Sequence, residues 1–153
     1  MAKLIMLIGI QGSGKTTYSK KLMEDYNAKV ISTDRVRQTC IGIEEKDVFP
    51  TVYKLCAEEI KQKHNVILDA THITPKVRKR SFDALDQHGI QYEKVAVYLN
   101  TPVEECLRRV EIRNKDPKEL FIPLEVIESY GKNLIPPSKE EGFDEIIVIK
   151  SDD

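Results

Sequence analysis

At 153 residues the chain has the length of a single domain, and 41% hydrophobic with 32% charged residues excludes a fibrous or largely disordered protein. A formal net charge of -1 gives no overall attraction for a polyanion, so any contact with nucleic acid must come from a local patch. The apolar run at 4–8 is far too short for a signal-peptide core or a membrane span, so a cytoplasmic location with no membrane partner is expected. Cys40, Cys56 and Cys106 are odd in number and widely spaced, and His64, His72 and His88 lack ligand spacing, which argues against a disulfide framework or a zinc site.

Short apolar, β-branched runs predict buried strands at 4–8, 30–32, 66–68, 95–99 and 146–149. Helical periodicity predicts helices at 16–25, 49–64, 75–88, 102–110 and 123–134, with Thr74 and Thr101 in capping positions immediately before prolines. Turn-forming residues concentrate at 39–50 and 115–123. Strands alternating with helices imply an α/β fold: a parallel sheet of about five strands with helices on both faces and right-handed crossovers. No repeat or linker divides the chain, so one domain over 1–153 is expected.

Between the first strand and first helix, Gly9-Ile10-Gln11-Gly12-Ser13-Gly14-Lys15-Thr16 matches Gly-x-x-x-x-Gly-Lys-Ser/Thr. Glycines at 9, 12 and 14 let successive backbone N–H groups turn toward a phosphate at the positive end of a helix. The segment from Gly9 through Gln11, Ser13 and Lys15 to Thr17 is therefore expected to hold ATP, with Lys15 on the β- and γ-phosphates and Thr16 on magnesium.

A phosphotransferase also needs a carboxylate at the carboxyl end of a neighbouring strand. Asp34 follows the second strand, with Arg37 three residues on; it either orients and deprotonates an acceptor hydroxyl or simply caps the next helix. Asp69, Thr71 and His72 fall at the end of the third strand, and Ala70 stands where water-activating ATPases often carry Glu. Lys76, Arg78, Lys79 and Arg80 read as a local basic patch for a phosphorylated acceptor, or as a solvated helix face. Arg108, Arg109 and Arg113 precede the polar stretch 114–119; Arg109 and Arg113 share a helix face, and an Arg-bearing lid over about 111–122 is expected.

The ordered set of GIQGSGKTT, Asp34-x-x-Arg37, Asp69-x-Thr71, Arg109-x-x-x-Arg113 and the C-terminal IPLEVIESYGKNLIPPSKEEGFDEI resembles the kinase domain of phage and eukaryotic polynucleotide kinases. The resemblance implies a P-loop, nucleoside-monophosphate-kinase-like fold and transfer of the ATP γ-phosphate to a 5′-hydroxyl of DNA or RNA. It implies Asp34 as general base, Arg37 with Asp69 holding the acceptor end, and Arg113 as a lid arginine on the donor phosphates. Related kinases phosphorylate small metabolites, so a small-molecule alcohol is the alternative acceptor, and a nucleotide-dependent switch a third reading.

Overall fold

In the computed structural model, residues 1–150 are described, and the last three residues of the expected domain lie outside them. The strands β1 (Lys3–Ile8), β2 (Ala28–Ser32), β3 (Asn65–Asp69), β4 (Glu93–Asn100) and β5 (Glu145–Lys150) form one sheet in the order β2-β3-β1-β4-β5. All four pairings are parallel. The chain leaves β1 toward β2 and β3 on one side and later reaches β4 and β5 on the other. The carboxyl end of β1 is therefore the point where strand order reverses, and a crevice opens there.

Period-two alternation distributes the helices. Leu4, Met6 and Ile8 of β1 face one side, packing with Val48, Val52 and Cys56 of α3 (Glu45–Lys61) and with Phe82 and Leu85 of α4 (Pro75–Asp86). Ile5 and Leu7 face the other side, where Leu22 of α1 (Lys15–Tyr26) covers them together with Ile67, Val95 and Val97. A third cluster lies beyond the strand ends: Cys106 and Val110 of α5 (Val103–Asn114) and Ile127 of α6 (Leu124–Asn133) close over Ile10 of the glycine-rich loop.

Several boundaries differ from expectation, α5 running four residues past its predicted end, and two departures bear on the site. A short helix, α2 (Thr33–Thr39), follows β2 directly, because the Ser32 hydroxyl accepts a hydrogen bond from the Arg35 N–H at 3.0 Å and caps it. Helix α3 begins at Glu45, four residues before the predicted start, and keeps Pro50 within it; Glu45 and Asp47 in its first turn complement the helix dipole. The Thr74 cap is present, its side chain accepting from the Val77 N–H, whereas the Thr101 hydroxyl turns away from α5 and donates to the Ser13 carbonyl at 2.8 Å. Cys56 and Cys106 are buried thiols whose pKa burial pushes up to about 12 and about 11, in keeping with their apolar faces.

The basic patch expected around Arg78 is corrected by the fold. Arg78 is fully buried and spends its donors internally: Nη1 on the His72 carbonyl, Nη2 on the Ile135 carbonyl, and Nε and Nη2 on the Glu141 carboxylate at 2.7 and 3.1 Å. Phe82 and Leu85, four and seven residues on, turn that helix face inward, so an arginine there needs an internal counter-charge. Lys79 pairs with Asp83 on the solvent side. The Arg78–Glu141 pair thus joins α4, the loop after β3 and the segment leading into β5. Glu141→Ala, which strands the guanidinium, is expected to cost about 3–5 kcal/mol, and Arg78→Met with Glu141→Leu to recover most of it; urea unfolding midpoints measure both.

Candidate active site

The glycine-rich loop is seated by its backbone. Gly12 and Gly14 adopt φ of 82° and 103°, in the left-handed region that favours glycine, and a Cβ on Gly12 would lie 2.8 Å from the Cys106 carbonyl. The Arg109 guanidinium donates to the Gly12 carbonyl at 3.0 Å, and the Gly9 N–H to the Thr71 carbonyl at 3.1 Å. Gly9 shapes the cradle from beneath: a Cβ there would meet the Ser13 Oγ at 2.5 Å.

Helix α1 starts at Gly14 with no side-chain cap and no acid in its first turn, so its leading N–H groups and positive end remain turned to the loop's hollow. Lys15 forms no hydrogen bond or ion pair among the described residues. Its enclosure lowers its pKa below the usual lysine value, while the carboxylates of Asp69 and Asp34 oppose that shift. The buried Ser13 hydroxyl and Gln11 amide oxygen likewise have no partner. An enclosed ammonium, an uncapped helix and unsatisfied polar atoms around one hollow fit an anionic group such as the phosphates of ATP. Thr16 and Thr17 lie exposed in the first turn.

Two cavities flank the loop. One of about 310 Å³ is lined by Gly12, Ser13, Gly14 and Thr17 with Leu99 and Thr101 from the β4 end, Arg109 and Arg113 from α5, and Lys150. The other, about 270 Å³, is lined by Gln11, Lys15, Asp34, Arg37, Asp69 and Thr71, with Phe49 and Tyr130 as aromatic walls. Strand register explains the second grouping: Leu7, Asp69 and Ser32 stand side by side across β1, β3 and β2, so the residues following each strand meet at one edge. Asp34 is not a cap, since Ser32 fills that role; its Oδ1 accepts from Arg37 Nη1 at 3.1 Å and its Oδ2 has no partner among the described residues. Burial raises the Asp69 pKa, and the nearby Lys15 counteracts it.

Arg109 and Arg113 reach the same cavity, as their shared face required, and Arg108 does not; it pairs on the surface with Glu105. The expected lid, 111–122, begins inside α5 and continues through the irregular segment 115–123. Phe49, Thr101 and Glu45, whose carboxylate pairs with Arg37, carry no mark of a site residue in the sequence. Their roles come from tertiary convergence, and only the aromatic on an amphipathic helix left any trace.

His72 is corrected as a substrate contact. Its φ of 47° turns the imidazole back under β1, where it is 1% exposed and its Nδ1–H donates to the Leu7 carbonyl at 3.0 Å. It therefore stitches the loop after β3 to the strand carrying the cradle.

Fold and site together define a P-loop protein with the α/β architecture of the nucleoside-monophosphate-kinase-like kinases. The chain belongs to the AAA domain family AAA_33, which matches residues 4–137. A shikimate kinase from Aromatoleum aromaticum is 24% identical over 144 residues, spanning 90% of this chain and 80% of that protein. A chain of the Pnkp1/Rnl/Hen1 RNA repair complex superposes with a TM-score of 0.75 at 24% identity, covering 87% of this chain and 44% of that one. Kti12 from Chaetomium thermophilum, solved with ADP-AlF3, superposes with a TM-score of 0.72 at 18% identity, covering 98% and 90%. The two structures share the fold. Among the described residues no helix is long and apolar enough to cross a membrane.

Burial lowers the His72 pKa to about 4 from 6.5, overriding the hydrogen bonds to Leu7 and Ala70. The neutral ring is the folded form, so its contribution is complete above pH 6.5 and is lost as pH falls through about 4, by on the order of 3 kcal/mol. His72→Asn, which tolerates the left-handed backbone, is expected to flatten that part of the profile in denaturant unfolding at pH 7, 5.5 and 4.

Proposed function

We propose that this chain is an ATP-dependent kinase that transfers the γ-phosphate to the 5′-hydroxyl of a polynucleotide end, DNA or RNA. The observation that carries the reading is that the glycine-rich loop borders both cavities, Gly12, Ser13 and Gly14 lining one and Gln11 and Lys15 lining the other, where Asp34 keeps a free carboxylate oxygen. The loop side takes the ATP phosphates and the Asp34 side takes the alcohol. A hydroxyl entering there loses its proton to Asp34, which Arg37 orients, as its oxygen bonds to the γ-phosphorus and the bond from that phosphorus to the β,γ-bridging oxygen breaks, releasing ADP. Lys15, Arg109 and Arg113 offset the negative charge on the transferring oxygens. Thr16 would hold a magnesium ion, which supplies further charge neutralisation when bound.

Ala70 after Asp69 supports transfer over hydrolysis, because no second carboxylate follows to activate water. Phe49 and Tyr130 suit a terminal base, which has a flat apolar face. A domain of 1–153 with a lid near 111–122, working in the cytoplasm in nucleic-acid end repair, completes the reading. The similarity to a shikimate kinase across 90% of the chain favours a second reading, a kinase for a small-molecule alcohol, and the 270 Å³ of the acceptor cavity would admit one.

With γ-labelled ATP and magnesium, 5′-hydroxyl oligonucleotides are expected to become labelled. Asp34→Asn should lower kcat by about a hundred- to ten-thousandfold with the KM for ATP little changed. Absence of label on DNA and RNA ends, with label appearing on a metabolite alcohol instead, would assign the second reading.

A further inference from the structure

Arg37 is the cation of the acceptor cavity best placed to hold a phosphate beside the reacting hydroxyl, yet the chain's own carboxylates already engage it. Its Nε donates to Glu45 Oε1 and Oε2 at 3.1 and 3.2 Å, its Nη2 donates to Glu45 Oε1, and its Nη1 donates to Asp34 Oδ1 at 3.1 Å. The Nε and Nη2 donors form the guanidinium edge that takes a carboxylate or a phosphate in a two-point bond. Glu45 fills that edge.

The surroundings let Glu45 leave it. Glu45 is the first residue of α3, its side chain is 74% exposed, and the segment before it carries Gly42 at φ 86° and a fully solvated Ile41. A displaced Glu45 carboxylate returns to water and stays near the positive end of α3, so the exchange costs only the ion pair itself. The guanidinium holds the Glu45 carboxyl below the usual carboxylate range, which keeps it ionised at neutral pH.

We infer that Glu45 is a specificity-determining residue that competes for Arg37 with a phosphate next to the acceptor hydroxyl, so that such a phosphate binds only by displacing it. This rests on the kinase reading above, and on Asp34 and Arg37 facing the acceptor. An alcohol without a neighbouring phosphate leaves the Arg37–Glu45 pair intact and does not feel it. The contact therefore lowers affinity for free phosphate-bearing fragments and leaves selectivity to acceptors with enough additional contacts to complete the exchange.

The test is an NMR titration of the full chain with thymidine 3′-monophosphate and, separately, thymidine, in wild type, Glu45→Gln, Arg37→Gln and the double variant. Glu45→Gln is expected to bind thymidine 3′-monophosphate about three- to tenfold more tightly, to bind thymidine unchanged, and to gain nothing when Arg37 is also replaced. Equal or weaker binding by Glu45→Gln would mean that Glu45 only orients Arg37. A gain that persists without Arg37 would reduce the effect to removal of a negative charge. Either result overturns the inference, as does failure of the probe to bind both wild type and Glu45→Gln. Labelling of 5′-hydroxyl oligonucleotides by the wild type is scored apart: its absence alongside the Glu45→Gln gain removes the polynucleotide reading and leaves the competition standing.

Discussion

An ammonium enclosed between two carboxylates and bonded to neither is the constraint around which this molecule is arranged. Lys15 sits at the turn from loop to helix, where burial disfavours its charge and Asp69 and Asp34 favour it without fixing its position. A half-buried charge left unpaired at a cavity wall is costly, and natural folds retain such costs at functional sites. The sheet makes the arrangement possible. Reversal of strand order at β1 sends the loop into the crevice between two halves of the sheet, so that Gly12, Ser13 and Gly14 line one cavity while Gln11 and Lys15 line the other.

The loop around Lys15 is fixed by contacts that come from every side. Cys106 of α5 stands against Gly12, Arg109 holds the Gly12 carbonyl, Thr101 donates to the Ser13 carbonyl, and Thr71 accepts from Gly9. Behind these lie His72, bound to the β1 backbone, and Arg78, bound to the carbonyl of His72. Backbone donors held this way need little reorganisation when a charged ligand arrives, which is the condition under which electrostatic stabilisation is most effective. Two of the residues expected to touch substrate, His72 and Arg78, lie one layer deeper. They hold the frame.

Much of this was legible in the sequence because it is written in local pattern. The five strands and five of the six helices follow from β-branched runs and helical periodicity, and the cradle follows from fixed spacing between a strand and a helix. The seven-residue α2 escaped as a full element since it is shorter than two apolar repeats and its cap, Ser32, reads as the last residue of the preceding strand. The basic run at 76–80 misled for a physical reason: charge is visible in sequence, but which face of a helix is buried depends on a partner, here Glu141, that lies 63 residues away. Glu45 was hidden in the same manner. It stands in a stretch that reads as turn, and its meaning comes only from Arg37 folding against it.

The distribution of unpaired cations separates the two sides of the site. In the cavity beside Gly12 and Gly14, Arg113 and Lys150 form no ion pair among the described residues, and Arg109 shares one acid, Glu105, with Arg108. In the cavity beside Asp34 and Asp69, Arg37 is matched by Asp34 and Glu45, and Lys15, which forms no ion pair among the described residues, lies in the field of the Asp69 and Asp34 carboxylates. Coulomb energy in a low-dielectric cleft rewards the more highly charged ligand on the side where cations lack internal partners. On that ground the cavity beside α5 favours the more highly charged of two ligands. The same imbalance lets a chain with a net charge of -1 present positive charge locally, where internal carboxylates do not cancel it.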